Sequence, residues 1–316
     1  MARLCVEGWA PEYGAAVEPD DALSPAEGAV EVDVEGRPWR PIPGRDDGLP
    51  VVAFVDGVRR IDARLVLDDP ARGPIPGICA SFGVGAVLWH RDERWSEVVE
   101  PAVERLALLL HGRVAALPPL PSNLSFRAEA VPGDDPAGLV RSLHDAMRRA
   151  EAGLTERLAQ SGTFVVADGP LYEYTPVAKV GHVKSHRRSY LPGDRAGIVG
   201  ALGPGERTPL FTVGDGRYRR YSWYLRLARF PGGHSWTGIA RGEAAASLGL
   251  EQAAALADRT AAVLPLVGSE AHLDPRAPQN LVPVAALERH LRHLLGDAGL
   301  VLRALRAAAH QKGRAA

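Results

Sequence analysis

Twice the sequence writes an apolar run that ends in Asp-Gly: Phe54-Val55-Asp56-Gly57 and Val166-Ala167-Asp168-Gly169. The residues before each pair, 51–55 and 163–167, carry no charge, as in strands buried on both faces. Strands of that kind need cover above and below, which points to a layered α/β fold. An Asp at the carboxyl end of such a strand lies where open α/β sheets form their ligand crevice. Two such ends side by side would bring two carboxylates together, and like charges that close call for a cation between them. A divalent metal meets that requirement and is a common device for cutting phosphodiesters. The plainer alternative is that each Asp-Gly is a turn.

The surrounding pattern gives these strands neighbours. β segments over 61–67 and 77–89 would complete an antiparallel meander with the first strand. Asp134-Asp135-Pro136 starts a helix over about 136–160, with an apolar stripe at Leu139, Leu143, Met147, Ala150, Leu154 and Leu158, and Gly162 closes it. Strands over 210–213 and 221–230 and helices over 250–264 and 284–310 follow. The order β-β-β-α-β and then helices predicts an α/β, RNase H-like core, a mixed sheet flanked by helices. Residues 1–48 are rich in Pro, Gly, Asp and Glu and alternate only at Val30 to Val34, which reads as an arm or small β appendage; 49–316 form the main domain.

Glu151 falls on the buried stripe of the long helix, four residues after Met147 and three before Leu154. A carboxylate there is costly unless it is metal-bound or paired, for instance with Arg60 or Arg64. Glu156 is five residues further on and is expected to point to solvent. The segment Tyr218 to Arg226 has two readings. It lines a DNA groove with arginines on phosphate, or it is a strand with Tyr221, Trp223 and Leu225 inward and Arg220, Ser222 and Arg226 wet.

Several classes are excluded or disfavoured. The two cysteines, Cys5 and Cys79, have no CxxC partner, which suits a reducing cytosol and rules out a cysteine zinc cluster. No apolar run is long enough for a membrane helix, and the first seven residues do not resemble a secretory signal, so a cytoplasmic location is expected. A net charge of -1 does not suggest a general nucleic-acid binder, although arginines cluster at Lys184 to Arg188 and Arg217 to Arg229. GxxxxGK[ST], HExxH and GxSxG are all missing, and Gly83-Val84-Gly85 is only a fragment of a dinucleotide fingerprint. Any ATP-driven step must therefore come from a partner.

Taken in order, FVDGVRR, the helix bearing Glu151, FVVADGPL, VGHVKSH, DPRAPQNL and ALERHLRHLLGD resemble the NurA nuclease family over residues 50–310. The resemblance implies an RNase H-like fold, a manganese-dependent (or magnesium-dependent) exonuclease and endonuclease acting on DNA ends, a homodimer, and a hexameric HerA ATPase as partner in double-strand break repair. By position it makes Asp56, Glu151 and Asp168 the metal carboxylates and Lys184 the motif lysine. The family's C-terminal histidine lands on His290, seven residues after Pro283. His182, His186 and the pair His272 and Asp274 compete for that role. Two positions depart from the pattern: Val58 stands where a serine is usual, and Val282 where a tyrosine is usual. They motivate a rival, a catalytically inactive DNA-end or ATPase-binding adaptor with the same fold. A third option is an RNase H-like enzyme acting on RNA or a hybrid.

Overall fold

The computed structural model describes residues 3–6, 29–121, 124–184, 190–229, 235–270 and 278–314. His186, His272, Asp274 and most of the arginine-rich run after Lys184 lie outside them.

Among the described residues thirteen strands form one sheet. In chain order they are β1 (Arg3–Val6), β2 (Val30–Glu31), β3 (Ile42–Pro43), β4 (Val51–Asp69), β5 (Gly73–His90), β6 (Trp95–Leu109), β7 (Arg127–Ala130), β8 (Phe164–Asp168), β9 (Lys179–Val183), β10 (Glu206–Arg207), β11 (Phe211–Val213), β12 (Arg220–Arg226) and β13 (Ile239–Ala245). The helices are α1 (Ala137–Gln160), α2 (Gly193–Ala201), α3 (Leu250–Val263), α4 (Val282–Leu294) and α5 (Ala298–Arg314). The main path of the sheet runs β2-β11-β12-β13-β9-β8-β4-β5-β6-β7. β4, β5 and β6 form an antiparallel meander, α1 crosses over, and β8 and β9 add in parallel beside β4. This is the mixed α/β sheet with flanking helices that the element order predicts.

The apolar alternation sorts the helices between the faces. Ala53, Val55 and Val165 share a core with Leu139, Leu143, Met147 and Leu154 of α1, which Val301 and Leu305 of α5 join. Val52, Phe54 and Val166 point the other way, into a core with α3 and with Val284 of α4. Helix α1 begins as expected: the Asp135 carboxylate accepts the Ala137 amide at 3.0 Å, and Gly162, at φ +88°, leads the chain out. The described part of the 1–48 segment is joined to the sheet. β2 pairs with β11 and β3 with β10, and Glu35 takes both terminal nitrogens of the fully buried Arg207 at 2.9 Å.

Four expectations need correction. The segments 51–55 and 61–67 are one continuous strand, so Asp56 lies inside β4, paired with Gly85, and is neither a strand end nor a turn. The polar stretch Asp56-Gly57 and Arg59-Arg60 makes that length look like two strands in the sequence, and a bulge between Ile61 and Ala63 lies within it. The 284–310 helix is split, because Gly296 takes φ +76° between α4 and α5. Arg220, Ser222 and Arg226 are buried, since β12 is a central strand covered on both faces. Arg226 donates to the carbonyls of Gly200, Leu202, Ser235 and Thr237, and Arg220 pairs with Glu243. Glu156 does not face solvent either: it accepts the buried Lys179 ammonium and, at 2.7 Å, the Thr175 hydroxyl.

Candidate metal centre

The parallel register of β4 and β8 assembles the first two carboxylates. Val55 stands opposite Ala167, so the next residues, Asp56 and Asp168, fall at the same level on neighbouring strands with side chains on one face. That face is the one carrying Phe54 and Val166, toward α3 and α4. Asp168 ends β8, and Gly169, at φ +87°, turns the chain away there, a conformation that suits glycine.

The third carboxylate comes from α4. Ligand oxygens of Asp56, Asp168 and Glu288 all lie within 4.8 Å of one another. The bare backbone of Gly85 in β5 eases this approach of α4. A Cβ on Gly85 would meet Leu287 Cδ1 at 3.3 Å and Leu291 Cδ2 at 3.4 Å, and one on Gly83 would touch Leu291 and Leu295. Val58 and Val87 complete the apolar seat of α4 with Leu287, Leu291 and Leu295. Both ends of the helix are tied to the sheet. At its C-terminal end Arg60 donates to the Gly296 carbonyl at 2.6 Å, and Arg60 and Arg105 each donate to the Leu295 carbonyl at 3.1 Å. Ahead of its N-terminus, Asn280 accepts the Lys184 ammonium at 2.8 Å, and His182 Nε2 lies 2.9 Å from the Gln279 carbonyl.

The electrostatics of this cluster call for a cation. Asp56 Oδ2 and Asp168 Oδ1 are buried with no hydrogen-bond partner. Leaving such acceptors unmade is expensive. Burial, and then the charges of Asp168, Glu151 and Glu288, push the Asp56 carboxyl well above the usual carboxylate range. Part of the charge is already countered, since Lys184 Nζ is 2.7 Å from Asp168 Oδ2 and Arg292 is 2.8 Å from Glu288. Three carboxylates are hard oxygen donors, the set that suits Mg²⁺ or Mn²⁺ better than zinc. The residues present therefore fit a divalent metal.

The sequence-derived candidates divide accordingly. Asp56, Asp168 and Lys184 come together. Glu151 is buried on α1 but lies outside the three-carboxylate group. It approaches from the opposite face of β4, where a Cβ on Gly57 would lie 2.5 Å from its Oε1. Arg148, at 3.7 Å, is the cation beside it, while Arg60 serves Asp62 and the end of α4. Glu151 also lines, with Asp168, Arg148 and Thr155, a small open cleft between α1 and the chain after Asp168. His290 sits on the exposed face of α4, two residues from Glu288 and roughly 200° around the helix from it. Val58 packs under α4 and Val282 is exposed.

Sequence reasoning missed Glu288. The signals were Gly83 and Gly85, read only as a broken fingerprint, and the Leu287/Leu291 stripe, which fixes the rotation of α4 and turns Glu288 toward the strands.

No family model matches this chain, and no curated protein does. Among solved structures it is similar to the NurA nuclease from Sulfolobus solfataricus, at 11% identity over 82% of this chain and 86% of that one, with a TM-score of 0.44. At that level the likeness assigns no family. The carboxylate geometry and the sequence motifs carry the functional argument.

Proposed function

We propose that the chain is a divalent-metal-dependent nuclease that cuts DNA phosphodiesters. The observation that carries this reading is the pair of buried, unpartnered oxygens on Asp56 and Asp168, grouped with Glu288 within 4.8 Å. In this proposal Asp56, Asp168 and Glu288 hold the metal, with Glu288 in the place on α4 that the family pattern gave to His290. Glu151 adds negative charge from across Gly57. A Mn²⁺ or Mg²⁺ ion held there supplies Lewis acidity and charge neutralisation at a scissile phosphate. Lys184, fixed between Asp168 and Asn280, presents an ammonium beside the carboxylates and steadies a phosphate oxygen.

The motif resemblance extends the proposal: a homodimer in the cytoplasm that processes DNA ends for double-strand break repair with a HerA-type hexameric ATPase. Among the described residues no helix is long and apolar enough to cross a membrane.

End-labelled single- and double-stranded DNA, incubated with Mn²⁺, Mg²⁺ or EDTA, tests the reading. Cleavage with Mn²⁺, none in EDTA and none by Asp56→Asn is the expected result. DNA binding without cleavage would favour the adaptor, and cleavage confined to RNA or hybrids would favour the third option.

A further inference from the structure

The chain that leaves Asp168 does not wander over the surface. Gly169 donates its amide to the His182 carbonyl at 2.8 Å, and residues 169–174 then cross β9 over Gly181. On the far side they meet Glu243 of β13, the cross-strand partner of Gly181. Glu243 Oε1 accepts the Leu171 amide at 2.7 Å and the Tyr174 hydroxyl at 3.2 Å. Its other oxygen takes Arg241 at 2.8 Å and Arg220 at 3.1 Å. Ser222 bonds Arg241 at 3.0 Å, and the Arg220 guanidinium lies 5.7 Å from the centre of the Tyr174 ring.

Glu243 is fully buried. Burial opposes its charge, yet Arg241, Arg220 and the Leu171 amide hold its carboxyl below the usual range. A buried triad of this kind contributes little net stability compared with apolar packing, and its best-attested use is to specify one arrangement. Here the arrangement is the exit path from Asp168. Two further contacts hold the same segment: Arg148 to the Pro170 carbonyl, and Thr175 to Glu156 at 2.7 Å.

The proposed nuclease activity uses none of these groups. We propose that Glu243, through the strap 169–174 that it anchors across Gly181, is a positioning residue that holds Asp168 against Asp56 and Glu288 for metal binding. The inference rests on the metal reading of those three carboxylates. The strap lies on the sheet face opposite the cluster, so Glu243 acts only through Asp168 and its turn. Groups that orient a metal ligand in this way typically change metal affinity about 10- to 100-fold when disturbed.

Glu243→Ala strands two buried guanidinium groups and is expected to unfold the chain. Gly181→Ala disturbs the strap while leaving the triad charges intact. Its Cβ would lie 2.9 Å from the Gly169 carbonyl oxygen, 3.0 Å from the Leu171 nitrogen and 3.0 Å from Glu243 Cγ, so the strap has to lift. Tyr174→Phe removes one anchor bond. Leu256→Ala, in the core under α3, serves as a control for general destabilisation.

Mn²⁺ affinity is measured by titration calorimetry on the full chain, well below each protein's Tm. We expect about 10-fold weaker binding for Gly181→Ala, about 2- to 3-fold weaker for Tyr174→Phe, and unchanged affinity for Leu256→Ala. Wild-type affinity in Gly181→Ala, with Asp56→Asn still abolishing binding, would overturn the positioning role and leave the metal site standing. Equal weakening in Leu256→Ala would reduce the strap to ordinary structure and overturn it as well. If wild type binds no Mn²⁺, or Asp56→Asn binds it normally, the metal reading itself falls and takes the inference with it.

Discussion

Replacing Asp56 by Asn should stabilise the metal-free protein and remove its response to metal. The substitution keeps the shape of the side chain and deletes one charge from a group of three whose oxygens lie within 4.8 Å. At that separation and an effective dielectric constant near 20, each pair of unit charges repels by about 3.5 kcal/mol. Asp56 has two such neighbours, but Lys184 and Arg292 already counter them, so the net relief is on the order of 1–3 kcal/mol. For a chain of this size that is roughly 2–6 °C in Tm. In EDTA, Asp56→Asn should therefore melt above wild type. With Mn²⁺ at about 1,000 times its Kd, wild type gains about 4.1 kcal/mol from binding and the variant gains nothing, so the order reverses. The assay is a pair of thermal melts, with and without Mn²⁺, on each protein. A variant that melts below wild type in EDTA, or that shows the wild-type Mn²⁺ shift, would refute the account of Asp56 as a strained metal ligand.

The other expectations follow from the same geometry. The raised Asp56 carboxyl favours the fold only while it is protonated, so that contribution is complete below the unfolded Asp pKa of about 3.9 and is lost as pH rises through the folded value; the metal-free stability gap between Asp56→Asn and wild type should widen from pH 4 upward. A gap independent of pH would show that the Asp56 carboxyl is not perturbed. Glu288→Gln should abolish the Mn²⁺-induced Tm shift while His290→Ala leaves it within error, and the reverse pattern would return the α4 role to His290. Gly85→Val wedges a side chain under Leu287 and Leu291, and should weaken Mn²⁺ binding at least 10-fold by lifting Glu288 away; wild-type affinity in a folded Gly85→Val would separate the helix seat from the site. Glu151→Gln removes the Glu151 charge and keeps its shape, so a rate loss of about 10-fold or more would assign Glu151 a part in cleavage and an unchanged rate would remove it.

Periodicity and local chemistry in the sequence were enough to give the layered α/β class, the stripe of α1 with Glu151 on it, and two buried strands each carrying an Asp before a Gly. These are near-neighbour properties: alternation fixes faces, a 3.6-residue repeat fixes a stripe, and Asp135 and Gly162 mark helix ends. The sequence also underdetermined what lay across the sheet. That β4 runs on through Asp56 depends on β5 pairing along its whole length, which apolar runs alone do not show. Arg220 and Arg226 look like solvent-facing charges until Glu243 and a ring of carbonyls are brought to them by strands and loops elsewhere in the chain. The third carboxylate is the clearest case. Glu288 and His290 stand two residues apart on one helix, and neither has an apolar signature. Only the packing of Leu287 and Leu291 against the bare backbone of Gly83 and Gly85 sets how α4 is turned, and that rotation puts Glu288 beside Asp56 and Asp168 and leaves His290 in solvent.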